Sequence, residues 1–193
     1  IAKGKSGVWI VEKGKLFLYD KVSHCLMQMY KDLELPDTGT TMVEGVEGTL
    51  WIALKDGGII CVDIYGGASL HLPEIKVMKL IRGNDRNIWV GSQEHGVFCF
   101  SPEGNMIHRY EYDNKSIYKV RNDMARALCQ DLEGNLWIGY RSGLSKIEVA
   151  SGKIFHYQAD PNRVGAMSNR SVTSLYTDKQ GTVWVGTYWG GVN

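Results

Sequence analysis

The sequence has neither a long apolar run nor an excess of charge of one sign. Its 193 residues contain 22 Lys and Arg against 21 Asp and Glu. Without about 20 consecutive apolar residues there is no membrane-spanning helix, and without a basic block the charge pattern of a non-specific nucleic-acid binder is missing. The first residues also lack the basic-then-apolar order of a signal peptide. We therefore expect an internal fragment, or a mature piece, of a longer protein.

The motifs of common enzyme and metal sites are also missing. There is no Gly-x-Ser-x-Gly elbow, no phosphate-binding loop and no dinucleotide fingerprint. Four histidines fall in the outermost strands that we predict below, too far apart to share a metal ion: His24, His71, His108 and His156. The cysteines lack Cys-x-x-Cys spacing, and we expect core packing of Cys61 and Cys99 and no disulfide. The sequence thus predicts no catalysis, no cofactor and no metal.

Glycine and aromatic residues are plentiful, and tryptophan is periodic. With 23 Gly and only 4 Pro, the chain favours many tight turns between strands. Five tryptophans recur at intervals of 42, 38, 48 and 47 residues: Trp9, Trp51, Trp89, Trp137 and Trp184. Each has an apolar residue on both sides, and three residues before it stands Gly48, Gly134 or Gly181, with Ser6 and Arg86 as exceptions. Such a period is typical of stacked repeats.

The repeat predicts an all-β fold of small radial sheets. Three consecutive apolar residues require cover on both faces of the Trp strand, so each sheet should lie between two others with its Trp wedged in the core. In the fourth unit we predict strands over 125–130, 136–140, 144–148 and 154–158, with Asp131 in a turn. Four short strands per unit make a β-propeller blade, and the chain should hold four to five of them: 1–35, 36–74, 75–120, 121–168 and 169–193.

The two ends of this pattern are incomplete. Trp9 lies too near the start for an innermost strand, and the last unit stops after its second strand. The two halves could complete a five-bladed ring, or the segment could belong to a larger propeller. We favour the larger propeller, because ending within a blade would otherwise leave open sheet edges.

The last two units resemble a known repeat. The segments 153–157, 160–161 and 167–175, followed by Asp178-Lys-Gln-Gly-Thr-Val-Trp-Val-Gly-Thr-Tyr-Trp-Gly-Gly-Val192, are similar to the two-component regulator propeller repeat. In the earlier units Gly45 and Gly83 replace the Asp of the turn. The resemblance implies part of a seven-bladed propeller in the periplasmic sensor region of a hybrid two-component system of gut bacteria. It also implies a homodimeric sensor that detects an oligosaccharide or other small molecule and signals to a histidine kinase in the parent chain.

The candidate ligand site lies in the non-repeating loops. By analogy with other propellers, one face carries the loops into each innermost strand, including 113–123 and 159–170, and the turns that join second to third strands. An exposed aromatic residue beside Arg and Asn suits sugar recognition, since a pyranose offers an apolar face and hydroxyls. The candidate residues are Trp189, Tyr188, Arg141, Arg170, Asn169 and Arg121. Trp189 could instead pack on a neighbouring blade.

Two other functions remain open at this point. The repeats also resemble, more loosely, those of streptogramin lyase propellers, which need a constellation of His and carboxylate ligands for a metal. A propeller of this kind could also serve as a protein-interaction scaffold. Asp131 and Asp178 do not favour the enzyme, because each occupies a repeated turn position just before Gly.

Overall fold

The computed structural model describes residues 1–4, 7–35, 39–46, 48–63, 65–111, 124–160 and 162–193. Within these ranges the backbone forms 19 strands in five antiparallel sheets, in chain order. No helix in them is long and apolar enough to cross a bilayer. The prediction of an all-β propeller segment is confirmed.

The first four sheets have four strands each, with chain neighbours paired. Sheet one contains β1 (Ala2–Lys3), β2 (Gly7–Glu12), β3 (Lys15–Asp20) and β4 (Leu26–Met29). Sheet two contains β5 (Gly39–Glu44), β6 (Leu50–Leu54), β7 (Ile59–Val62) and β8 (Ala68–His71). Sheet three contains β9 (Val77–Arg82), β10 (Ile88–Ser92), β11 (Val97–Phe100) and β12 (Met106–Tyr110). Sheet four contains β13 (Ala127–Gln130), β14 (Leu136–Gly139), β15 (Leu144–Glu148) and β16 (Lys153–Tyr157). Its strands agree with the predicted ones to within two residues.

Sheet five has three strands: β17 (Val172–Thr177), β18 (Val183–Thr187) and β19 (Gly191–Val192). The predicted ends of the repeat were therefore wrong in two places. Sheet one has an innermost strand, β1, which pairs Ala2 with Trp9, and sheet five has a third strand, whose Gly191 pairs with Thr187. Both strands are two residues long, which is too short to produce a periodic sequence pattern.

The core lies between successive sheets. One apolar cluster joins sheets one and two, a second joins two and three, a third joins three and four, and a fourth joins four and five. Trp9, Trp51 and Trp89 are at most 4% exposed within these clusters. No cluster of the described residues joins sheet one to sheet five. The first three tryptophans are the predicted wedges between sheets.

The last two tryptophans differ because of what covers them. Trp137 is half-buried, and Trp184 is 45% exposed, so the predicted wedge is wrong at Trp184. In sheet two, Trp51 stacks on His71, and Phe100 of the next sheet covers both rings at centroid distances of 5.5 and 5.4 Å. No described sheet follows Trp184, and its cross-strand partner Tyr176 is also exposed.

Two of the predicted outer-strand histidines stack on the repeated tryptophans. His71 and His108 lie in outermost strands, where they stack on Trp51 and Trp89, and His156 lies in β16. His24 was misplaced by the prediction, because it precedes β4 in a turn with φ of +55°.

All four cysteines are free thiols. Burial raises the pKa of Cys61 to about 11 and that of Cys99 to about 12, as expected of core residues.

The repeated Asp joins its turn to the tryptophan. One oxygen of Asp131 accepts from the backbone N–H of Asn135 (2.8 Å), and the other accepts from Nε1 of Trp137 (2.8 Å). Asp178 makes the same pair of bonds with Thr182 (2.9 Å) and Trp184 (2.8 Å). The turn interpretation of both carboxylates is confirmed, and each also fixes the orientation of an indole ring.

Sheets two and three lack this bond. Gly45 and Gly83 stand where the Asp would be, and Nε1 of Trp51 and of Trp89 is buried with no hydrogen-bond partner among the described residues. A buried donor without a partner reduces stability.

Replacing Gly45 with Asp should therefore stabilise the protein. An added Cβ would lie 3.2 Å from Nε1 of Trp51 and 2.5 Å from the Thr49 hydroxyl oxygen, which would have to leave its hydrogen bond to the Val46 carbonyl oxygen (2.9 Å) in both G45D and G45A. With an acceptor for the indole N–H, we expect the free energy of unfolding to rise by about 1 kcal/mol, measured by chemical denaturation. Gly45→Ala is the matched control, since it adds the Cβ without an acceptor. Equal stability of G45D and G45A would contradict the prediction.

Candidate ligand-binding face

Backbone hydrogen bonds bring the predicted loops together on one face. The N–H of Leu35 donates to the carbonyl oxygen of Gly14 (2.9 Å), and that of Val172 donates to Tyr140 (2.9 Å). Each bond joins a turn between second and third strands to the segment that leads into the next sheet. We call this surface the loop face, formed by the turns 13–14, 55–58, 93–96, 140–143 and 188–190 with the lead-in segments 30–35, 72–76, 124–126, 158–160 and 162–171.

The turn of Tyr188 and Trp189 is held tightly against its lead-in segment. The N–H of Tyr188 donates to the carbonyl oxygen of Ser171 (2.8 Å), and the Ser168 hydroxyl donates to the carbonyl oxygen of Gly190 (2.7 Å). A Cβ at Gly190 would lie 2.5 Å from the Ser168 hydroxyl oxygen, so the close approach requires glycine here. The turn is thus a fixed platform.

Trp189 is presented to solvent by this platform. Its side chain is 89% exposed, and its φ is +59°, an uncommon conformation for a bulky residue. The Tyr188 ring meets it edge-on, with centroids 5.6 Å apart and an interplanar angle of 81°. An exposed aromatic residue in a strained turn has no core-packing role in the described chain, and such strain is a reason to consider function.

The two arginines lie beside this turn. Arg141 follows Tyr140, whose carbonyl oxygen accepts a hydrogen bond from the N–H of Val172. Arg170 precedes Ser171, whose carbonyl oxygen accepts one from the N–H of Tyr188. Both arginines are exposed. The segments 140–143, 168–172 and 187–191 contain no Asp or Glu. Their two guanidinium groups therefore make this part of the loop face electropositive.

The other two candidate residues are Asn169 and Arg121. Asn169 is half-buried, and its side-chain oxygen accepts from the N–H of Ser171 (2.9 Å), so it shapes the loop. Arg121 and the loop segment 113–123 lie outside the described residues. The structure thus gathers Trp189, Tyr188, Arg141 and Arg170 at one end of the loop face.

Other concave regions were not predicted. A groove of about 360 Å³ at the rim of sheet four is lined by Trp137, Tyr157 and Arg163 among others. Trp137 and Tyr157 stack there at 5.6 Å, as Trp51 and His71 do in sheet two under the cover of the next sheet. The groove thus exposes a ring pair whose counterpart in sheet two is covered by Phe100. Among the described residues, no group of three or more His, Cys, Asp and Glu could hold a metal ion.

The sequence of this end of the chain identifies the repeat. Residues 166–189, which run from the lead-in segment to Trp189, match the family model of the two component regulator propeller. This segment is therefore similar to the two-component regulator propeller repeat. Within the repeat lie Asp178, its partner Trp184 and the Trp189 turn. No curated protein sequence matches the chain.

Solved structures with the same fold extend over nearly all of the chain. The extracellular domain of the hybrid two component system BT4673 from B. thetaiotaomicron has a TM-score of 0.78 at 19% identity, covering 99% of this chain and 26% of that one. The corresponding domain of BT3049 from the same organism has a TM-score of 0.70 at 18% identity, covering 97% and 25%. The similar domains are thus extracellular parts of two-component systems.

PorZ has a related fold and a different description. It is a surface component of the type-IX secretion system of Porphyromonas gingivalis, with a TM-score of 0.68 at 16% identity, covering 92% of this chain and 28% of PorZ. The chain spans about a quarter of the length of these structures. At such identities the likeness shows the propeller fold alone.

Proposed function

We propose that the chain is part of the periplasmic ligand-sensing region of a hybrid two-component system. In this proposal it has no catalytic role, and it recognises an oligosaccharide on the loop face. Support comes from the two-component regulator propeller repeat at residues 166–189 and from the extracellular domains that share the fold. The observation that carries the proposal is Trp189, which is 89% exposed on a fixed turn.

The chemistry of the site favours an anionic sugar. The indole face of Trp189 would stack on the C–H face of a pyranose, with Tyr188 holding the ring from its edge. Arg141 and Arg170 would pair with a carboxylate or sulfate, because a guanidinium offers two parallel N–H donors to such groups. A uronate or sulfated oligosaccharide is therefore the ligand class that we propose.

Signalling requires that the ligand distinguish two states. A ligand shifts an equilibrium only as far as its affinities for the two arrangements differ. In our proposal those arrangements belong to a homodimer of the complete sensor, and the signal passes through the remaining blades and domains to a histidine kinase.

Replacing Trp189 with Ala should weaken sugar binding. Loss of one stacking platform should raise the dissociation constant about tenfold, measured by calorimetry on the complete extracytoplasmic region with uronate, sulfated and neutral oligosaccharides. The unfolding midpoint should not change, because Trp189 is exposed. Tyr176→Ala is the control, since it removes another exposed ring of sheet five that is not among the candidate ligand-binding residues. Unchanged affinity in W189A, or no binding of any oligosaccharide, would contradict the proposal.

A protein-interaction scaffold is the second candidate. PorZ, which shares the fold, is a component of a secretion system. A pull-down with the complete protein distinguishes the two functions. Recovery of a stoichiometric protein partner that is insensitive to added sugars would favour the scaffold.

A further inference from the structure

A second concave site lies on the surface opposite the loop face. It has a volume of about 420 Å³, and Asp63, Tyr65, Arg86 and Glu103 line it. These residues belong to turns that join first to second strands and third to fourth strands, in sheets two and three. We call it the turn-face pocket. None of its residues is among the loop-face candidates, so it carries a separate inference.

Arg86 occupies a backbone position that favours glycine. Its φ is +69°, and it stands three residues before the repeated Trp. Three other sheets have glycine there, with φ of +84°, +84° and +91°: Gly48, Gly134 and Gly181. A side chain in this region costs conformational energy that glycine avoids. The arginine is therefore not required by the turn itself.

The Arg86 side chain is open to a ligand. It is exposed, and no hydrogen bond or ion pair links its guanidinium to another described residue. Two carboxylates, those of Asp63 and Glu103, line the same pocket. Three charged groups thus surround one cavity, and the described residues leave the guanidinium donors available.

Tyr65 lines the pocket, and its backbone is hydrogen-bonded to Asp63. One oxygen of Asp63 accepts from the N–H of Tyr65 (2.7 Å) and from that of Gly67 (2.9 Å), and the N–H of Asp63 donates to the carbonyl oxygen of Gly67 (2.9 Å). The Tyr65 side chain itself is 88% exposed. It lies outside every core cluster of the described residues.

We propose that the turn-face pocket binds a neutral sugar. A pyranose would lie with its C–H face on Tyr65, donate hydroxyl protons to Asp63 and Glu103, and accept from Arg86. Two carboxylates against one guanidinium disfavour an anionic sugar, whereas the loop face has two guanidinium groups and no carboxylate in the turn of Trp189 and its neighbouring segments. The two surfaces therefore differ in the charge of the sugar that each accepts.

Titration of the ¹⁵N-labelled chain with glucose, galactose, mannose and xylose tests the inference. We expect saturable shifts of the amide resonances of Tyr65, Gly67 and Glu103 in the wild type. Tyr65→Ala should abolish them, and Arg86→Gly should weaken binding about tenfold, because a charged hydrogen bond is lost. R86G should keep the thermal midpoint of the wild type or raise it, since glycine suits the left-handed turn. Tyr176→Ala is the control, because it removes an exposed ring that belongs to neither proposed site, and it should bind as the wild type does.

The outcomes separate this inference from the loop-face proposal. Saturable binding, read on the amides of the pocket itself, that Y65A and R86G weaken and that Y176A leaves intact supports the pocket whatever happens on the loop face. The inference is overturned by the absence of saturable shifts with all four sugars, by wild-type affinity in both pocket variants, or by loss of the shifts in Y176A. Glucuronate binding as tightly as glucose would also overturn the assignment to neutral sugars.

Discussion

Replacing Trp51 with Ala should lower the free energy of unfolding by about 3–5 kcal/mol, the usual cost of truncating a fully buried Trp. Trp51 has no exposed surface, and its ring contacts His71 and Phe100 between sheets two and three. A cavity there would weaken the apolar cluster that joins the two sheets, in which Val77 and Phe98 are also buried. Chemical denaturation followed by tryptophan fluorescence and circular dichroism measures the loss.

Trp184→Ala is the matched control for this substitution. The residue holds the same place in the repeat, but it is 45% exposed, so its removal should cost about 1 kcal/mol or less. In a longer chain whose next sheet covers Trp184, the two losses should become similar. Equal losses at Trp51 and Trp184 in the 193-residue chain would contradict the role of the following sheet.

The sequence was most informative where residues repeat. Columns of Trp, its apolar neighbours and the turn glycines predicted the strands of sheet four to within two residues. The same columns misjudged Trp184, because burial depends on a neighbouring sheet and not on the strand that carries the residue. The two-residue strands β1 and β19 were missed because they consist of backbone pairing alone, without a side-chain pattern.

The site was predictable in part for a related reason. Trp189 stands outside the Trp column, so the pattern itself marked it as available, and the structure places it in solvent. The role of Asn169 in its own loop could not be predicted, because it depends on a single hydrogen bond to Ser171. Tyr65 was missed altogether. Arg86 gave a signal, as a departure from the glycine position, but its meaning depends on a φ of +69° and on the cavity beside it.

Replacing Asp131 with Asn should destabilise the chain by about 2–3 kcal/mol at neutral pH, because hydrogen bonds to a carboxylate are strong. Burial of Asp131 opposes its ionisation, but hydrogen bonds from Trp137 and Asn135 outweigh this effect and lower the pKa of the carboxyl from its usual 3.8. An amide in its place would direct an N–H₂ group toward the backbone N–H of Asn135 or Nε1 of Trp137. One of these donors would lose its acceptor.

The difference between wild type and D131N should depend on pH in one direction. Because the folded carboxyl has the lower pKa, its stabilisation is complete above about pH 4 and is lost as the pH falls through the folded pKa. Denaturation curves between neutral pH and pH 2 should therefore show the two proteins converging in acid. Asp178→Asn is the control, and its effect should be smaller because the Asp178–Trp184 bond is exposed to solvent. A difference that stays constant down to pH 2 would show that the ionised carboxylate is not what holds Trp137.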